Sequence, residues 1–513
     1  MISFLRGAIP LPRLLPWAGA ANDGAKTSAP EDPASHDQGS PAARALYQQL
    51  AGAVRLENAG ARREAARLFL DHRLQVAASL PCDLPKDAQG LEAWMKTGVA
   101  RTGKLYQDYL QRRVDGGGRE YFHCRSHALG VLRAIAPTKL ADGAWLSGML
   151  SHAGDPCFAE LIRTYLEELG DGAPDKNHVL LYRRLLQAHG VDDWLAQSDE
   201  CFEQGAIQLA LGACTQDFLP EVIGFNLGYE QLPLHLLISA YELDELGIDP
   251  YYFTLHVTVD NAASGHAMRA VKAVHDALSR TDASAVFWER VRRGYLLGNL
   301  GLSTNAAITR FDLDAEFLRV LGQKTFEGRF AHSNYCRIEG KTVNEWLGSA
   351  QGVDGFVQAL HRKGWLTRGV DPRASRFWQL LHGEQAQMHG VFGAYERQVI
   401  YDWIRGPASG DGARAPSSVT PDQAPRPCRP YRHQRGALTA AEAGLTQCVQ
   451  LGAPPADPEV TDLTVRLEAA PDPEARLVIL RDMMGPDLHW TRAGLCATRI
   501  FRRAVLGADE AHT

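Results

Sequence analysis

Apolar residues recur at three- and four-residue spacings over most of this 513-residue chain, the period of helices that bury one face. From Pro41 to about Trp94, the run AARALYQQLAGAVRLENAGARREAARLFLDHRL puts leucines and alanines on one side and arginines on the other. That pattern predicts helices laid on the surface of a larger unit. A longer helical region follows, from about Leu105 to Arg405, in YFHCRSHALGVLRAIA, CFAELIRTYLEEL, HVLLYRRLLQAHG, PEVIGFNLGYEQLPLHLLISAYELDEL and YYFTLHVTVDNAASGHAMRAVKAVHDAL. Val257, Thr258 and Val259 suit a strand, but AMRAVKAVHDAL beyond them keeps the helical period, so a single continuing helix is expected. No alternation of strands and helices is visible, so the chain is expected to be all-α rather than built on a sheet.

Punctuation along the chain divides it into five parts. Residues 1–40, rich in Ala, Gly, Ser, Pro and Asp, read as a disordered leader. Residues 41–104 form an N-terminal helical extension, and 105–405 the main helical domain. Residues 406–436, GPASGDGARAPSSVTPDQAPRPCRPYRHQRG, read as a disordered linker. Residues 437–513 are a short tail with two helical runs, LTAAEAGLTQCVQL and HWTRAGLCATRIFRRAVL.

Composition narrows the class. An apolar share of 45% and a charged share of 22% are those of a folded globular protein. A net charge of −6 gives no basic footprint for nucleic acid and no polybasic membrane patch. The nine cysteines are scattered and never form a Cys-x-x-Cys pair, which argues against a disulfide framework and a structural zinc site and fits a reducing cytoplasm. The opening MISFLRGAIPLPRLLPWAGAA has the outline of a signal peptide, but Pro10, Pro12, Arg13 and Pro16 interrupt any apolar helix. No stretch is long and apolar enough for a membrane span. A cytoplasmic location is expected.

Candidate chemistry gathers in three places. In EELGDGAPDKNH, a helix should end at Gly170, where glycine takes the left-handed conformation at little cost, and another should begin near Pro174-Asp175. Glu168 and His178 then flank one short loop; solvated acids at a helix end are the competing reading. In PEVIGFNLGYE, Glu221 follows Pro220 in a first turn and is succeeded by Val222, Ile223, Phe225 and Leu227. A helix so apolar is buried, and a buried carboxylate needs a cation or metal to stay charged; helix capping alone is the alternative. Glu230 lies further along the same helix, on what reads as a related face. In YYFTLHVTVDNAASGHA, His256 and Asp260 are one turn apart on one face among apolar neighbours. A buried His–Asp hydrogen bond would explain that pair without a metal.

Polar and aromatic mixtures at His332–Trp346 and Gln387–Arg397 suit either a substrate channel or ordinary packing. Together Glu168, His178, Glu221, His256, Asp260 and His266 supply oxygen and imidazole donors without thiolate, which suits Fe, Mn or Zn. Their number leans towards a pair of ions over a single one.

The ordered set EELGDG…NH, PEVIGFNLGYE and YYFTLHVTVDNAASGHA resembles the heme-oxygenase-like diiron oxidases, or iron-containing redox enzymes, over about residues 120 to 405. The resemblance implies an all-α, heme-oxygenase-like helical bundle that binds no haem. It implies a labile non-haem centre, two Fe(II) ions with O2 as co-substrate, acting on a small amino-acid-like or fatty-acid-like metabolite. By motif, the ligands and catalytic residues fall on Glu168, His178, Glu221, His256 and Asp260. The family's last histidine would fall on Ala263, so His266 is the nearest candidate sixth ligand. On a straight helix Asp260 and His266 are roughly 120° apart, and a bulge or kink over Asn261–Gly265 is needed to turn His266 inward. Tyr229, Tyr252 and Glu230 are expected to hydrogen-bond to the ligands.

A small-molecule substrate and no nucleic-acid or membrane partner are expected. Homodimerisation is allowed but not specified, and the electron donor is not legible. The rival reading is a non-catalytic or metal-free helical bundle acting as a partner in a biosynthetic complex. A metal-free enzyme would need Cys157 or Cys214 as nucleophile beside a base.

Overall fold

The computed structural model describes residues 42–52, 59–259, 265–326, 328, 332, 335–349, 352–406 and 457–506. The expected leader, linker and first tail helix lie outside them, as does Asp260.

The chain is all-α. The N-terminal helices are α1 (Ala43–Leu50), α2 (Ala59–Ala77) and α3 (Leu91–Val114), the last running through the boundary expected at 104–105. The central region holds α4 (Arg125–Ala134), α5 (Ala136–Lys139), α6 (Ala159–Glu168), α7 (His178–Ala188), α8 (Glu203–Ala213), α9 (Leu219–Tyr229), α10 (Leu234–Glu245), α11 (Tyr251–Val259), α12 (His266–Leu278) and α13 (Ser284–Leu297). Then come α14 (Thr304–Arg310), α15 (Leu313–Gln323), α16 (Val343–Leu347), α17 (Gly352–Arg362), α18 (Arg376–Leu381) and α19 (Ala394–Arg405). The C-terminal segment adds α20 (Pro458–Ala469), α21 (Pro473–Met483) and α22 (Arg492–Leu506). Among the described residues, Arg337–Ile338 and Lys341–Thr342 form a two-stranded antiparallel ribbon.

Apolar burial is organised in two cores. One joins Leu46, Phe69 and Leu70 of the N-terminal helices to Tyr165, Phe225 and Val274 of the centre, and to Leu480, Met484 and Phe501 of the C-terminal segment. The other gathers Leu132, Tyr182, Leu243, Phe253, Phe317, Trp378 and Ile400. Helices α9 and α13 approach backbone to backbone, because a Cβ on Gly224 would sit 1.8 Å from the Val291 carbonyl oxygen and one on Gly294 2.1 Å from that of Glu221. Such contact needs glycine on both sides.

Two expectations about local structure change. Helix α7 begins at His178, not near Pro174, because the Asn177 side chain accepts from Leu180 N–H at 2.9 Å and caps the helix there. The helix expected to continue from Tyr251 through His275 is two helices. Helix α11 is described as far as Val259, and α12 starts afresh at His266 after Gly265 in extended backbone, which breaks the helical run. In His332–Trp346 and Gln387–Arg397, most described positions are partly or fully exposed, and Ile338, Thr342, Val343, Trp346, Phe392 and Tyr395 are buried. Trp346 and Tyr395 are buried in the second core, and Thr342 with Glu345 forms a capping box for α16.

Candidate metal centre

The donors stand at helix ends along the seam between the two cores. Glu168 closes α6 and Glu230 follows the last turn of α9, while His266 opens α12, all from elements of the first core. His178 opens α7 and His256 projects from α11, both from the second. Asp142 lies in the turn after α5. The seam buries them all: Asp142 2%, Glu168 4%, His178 1%, Glu230 3%, His256 6% and His266 0% exposed.

They form two clusters that share one residue. Ligand atoms of Asp142, Glu168, His178 and His256 lie within 4.8 Å of one another, as do those of Glu168, Glu230 and His266. His178 Nδ1 is 2.5 Å from Glu168 Oε2 and 3.8 Å from Asp142 Oδ2. Gly143 lets Glu168 come this close to Asp142, with φ at +78° and the position of an added Cβ only 2.9 Å from the Glu168 Cβ.

The histidine tautomers follow from their outer partners. His256 Nδ1 lies 2.7 Å from the Tyr252 carbonyl oxygen and must donate to it, so Nε2 turns a lone pair towards Asp142 Oδ2 at 3.2 Å. His266 Nε2 lies 2.9 Å from Glu167 Oε2 and donates there, leaving Nδ1 to face Glu230 Oε2 at 3.0 Å and Glu168 Oε1 at 3.5 Å. Imidazole lone pairs aimed at carboxylates repel unless a proton or a metal ion lies between them. Hydrogen-bonding a ligand histidine from behind is also how proteins fix its orientation. The donor set therefore fits a metal, and oxygen with imidazole and no thiolate fits iron.

Further groups hold this arrangement. The Tyr252 hydroxyl donates to Asp142 Oδ2 at 2.6 Å, and burial pushes that hydroxyl well above its ordinary range, so it keeps its proton. Lys139, only 8% exposed, donates to the Tyr229 hydroxyl at 3.3 Å. Burial raises the Asp142 carboxyl, but the Lys139 charge and the facing imidazoles outweigh it and hold the group well below the usual carboxylate range. Glu167 is likewise raised by burial and then held far lower by hydrogen bonds from His266, Arg269 and Arg163.

Of the residues expected from sequence, Glu168, His178, His256 and His266 are brought together, and Asp260 lies outside the described residues. Glu221 is elsewhere. Arg290 of α13 grips its carboxylate with two hydrogen bonds, at 2.7 and 2.6 Å. Glu230, read only as a partner of ligands, takes the place beside His266. Nine residues at about 100° each turn a helix by half a circle net, so Glu221 and Glu230 face opposite sides, not related ones. Asp142 was missed. Its signal was a lone acid in the apolar run LADGAWL, which had to find a cation or a metal once buried.

The metal-free reading finds no support at the cysteines. Burial pushes the Cys214 thiol up to about 11 and raises Cys157, the reverse of what a thiolate nucleophile needs. No described helix is long and apolar enough to cross a membrane.

No curated protein and no solved structure matches the chain. One family model does: that described as iron-containing redox enzyme, over residues 129–299. That span contains Asp142, Glu168, His178, Glu230, His256 and His266, every donor in the two clusters. The likeness to the iron-containing redox enzyme family is carried by residues 129–299, the part of the chain that holds both clusters.

Proposed function

We propose that this protein is a non-haem diiron oxidase or oxygenase that uses dioxygen on a small amino-acid-like or fatty-acid-like metabolite. The observation that carries the reading is the pair of buried clusters joined through Glu168, each with a histidine whose outer nitrogen is already engaged. One ion would be held by Glu168, His178 and His256 with Asp142 beside them. The other would be held by Glu168, Glu230 and His266. When bound, ferrous ions supply redox electrons and open coordination positions for dioxygen.

The chain's own residues supply the rest. Three carboxylates, Asp142, Glu168 and Glu230, would offset three of the four positive charges of two divalent cations. The three imidazoles contribute neutral nitrogen donors. Tyr252 and Glu167 fix the direction of Asp142 and His266. A cleft of about 320 Å³ opens beside the Glu230 end of α9, lined among others by Trp94, Met95, Thr97, Arg101, Gln231 and Leu232. Its size suits a small metabolite, and its wall sets Arg101 and Asp83 among apolar and neutral polar residues.

The test is to load the full chain anaerobically with Fe(II), count bound iron, then admit oxygen and follow visible absorption and oxygen uptake. Close to two irons per chain, with a transient band and oxygen consumption, is the expected result. Failure to bind iron, with Glu168→Ala and His256→Ala behaving as the parent does, would overturn the proposal.

A further inference from the structure

The C-terminal segment lies beyond the family match, yet it is docked on the loop that separates Glu168 from His178. The Tyr165 hydroxyl of α6 donates to the Met484 carbonyl at 2.6 Å. Arg502 pairs with Asp171 in the loop at 3.0 Å, and the Arg183 guanidinium of α7 lies 3.9 Å from the Trp490 ring centroid. A Cβ on Gly172 would sit 2.4 Å from the Leu495 carbonyl oxygen, so α22 rests directly on the loop backbone.

At the centre of this contact is Asn177, 0% exposed and adjacent to His178. Its Oδ1 accepts from Leu180 N–H and caps α7. Its Nδ2 donates to the carbonyl of Leu169, the residue after Glu168, at 3.2 Å, and to His489 Nδ1 at 3.1 Å. One amide thus ties together the end of the Glu168 helix, the start of the His178 helix and the C-terminal segment. His489 is 2% exposed; burial, reinforced by the Arg183 charge, pushes its imidazole down to about 3. It is therefore neutral, and its Nδ1 is available as an acceptor.

We infer that the C-terminal segment is part of the scaffold of the iron centre, with His489 a positioning residue that acts through Asn177 to hold Glu168 and His178 at ligand spacing. The inference rests on the iron-site reading above. An amide group has two N–H donors and, when buried, needs acceptors for both. With the His489 imidazole removed, that N–H keeps only the residue-489 carbonyl at 3.5 Å, a longer contact, and the side chain gains by turning away from its capping position. The start of α7, and His178 with it, then loosens.

The experiment is an anaerobic Fe(II) titration of the full chain, read as stoichiometry and affinity, with thermal melting alongside. His489→Ala is expected to weaken one of the two ions by about 10–100-fold, the usual range for a group that orients a ligand. His489→Asn, whose oxygen falls near the Nδ1 position, should restore affinity. Arg492→Ala, which breaks an exposed pair with Asp457 inside the segment, should leave it unchanged. If His489→Ala does not fold, His489→Gln replaces it, because its oxygen reaches the other nitrogen's position and misses Asn177. Parental affinity in His489→Ala or His489→Gln would overturn the inference, as would equal loss in folded His489→Asn and His489→Gln. A parent chain that binds no iron would instead overturn the proposed function.

Discussion

Replacing Glu167 by glutamine asks whether His266 is a metal ligand without touching either cluster. The carboxylate accepts from His266 Nε2–H at 2.9 Å, from Arg269 at 2.5 Å and from Arg163 at 2.8 Å. Its negative charge makes the opposite nitrogen of His266 a better donor and fixes the plane of the ring. A carboxylate behind a ligating histidine is worth about 10–100-fold in metal affinity, or about 1.4–2.8 kcal/mol. Glutamine keeps the shape but removes the charge, and its single acceptor oxygen replaces two that served three cationic or polar donors. Its NH2 would also face an arginine. The loss should therefore fall in the upper part of that range, on the ion held by Glu168, Glu230 and His266 alone. Two-step Fe(II) calorimetry under anaerobic conditions reads this directly, with a melting curve to confirm the fold. Unchanged affinity, or equal weakening of both ions in a folded protein, would refute the argument that His266 presents Nδ1 to a metal.

Glu221→Ala should leave the iron count at its parental value and reduce stability by about 1–2 kcal/mol. It removes a charge-assisted pair, but Arg290 is 37% exposed and can regain water; urea unfolding with iron analysis checks both halves. Gly143→Ala should lower bound iron, since it forces a side chain into left-handed backbone, costing about 1–2 kcal/mol, and pushes on Glu168. Full metal loading in that variant would contradict the packing described. His127 donates through Nε2 to the Ile308 carbonyl and accepts at Nδ1 from His123 N–H, and burial pushes it down to about 4. The unfolded chain then binds the extra proton first, so stability should fall on acidification from about pH 6.5 towards 4, by up to about 1.4 kcal/mol per pH unit from this group. Melting at pH 7 and pH 5 tests it, with His127→Gln expected to show a shallower fall; an equal fall in both would remove His127 from the account.

The sequence by itself determined the all-α class, because a 3.6-residue apolar period has only one regular solution. It also determined that Glu168 and His178 flank a loop, because Gly170 takes the left-handed turn its position demands, at φ +65°. It marked His256 and His266 as donors by residue type and apolar setting. What it left open was direction. Whether Glu221 or Glu230 faces the seam depends on which side of α9 meets α13, and the glycine contact with α13 turned Glu221 to Arg290. His266 reached the centre by starting a new helix, a choice that helical periodicity does not register. Asp142 and His489 are single polar residues with no local pattern, and only long-range packing gave them partners. Helices α20 and α21 went unread, and the segment carrying them found its place against Gly172 and Asn177 through contacts hundreds of residues distant in the chain. Local periodicity sets which elements form; the meeting of two cores at one seam decides which of their polar residues become a site.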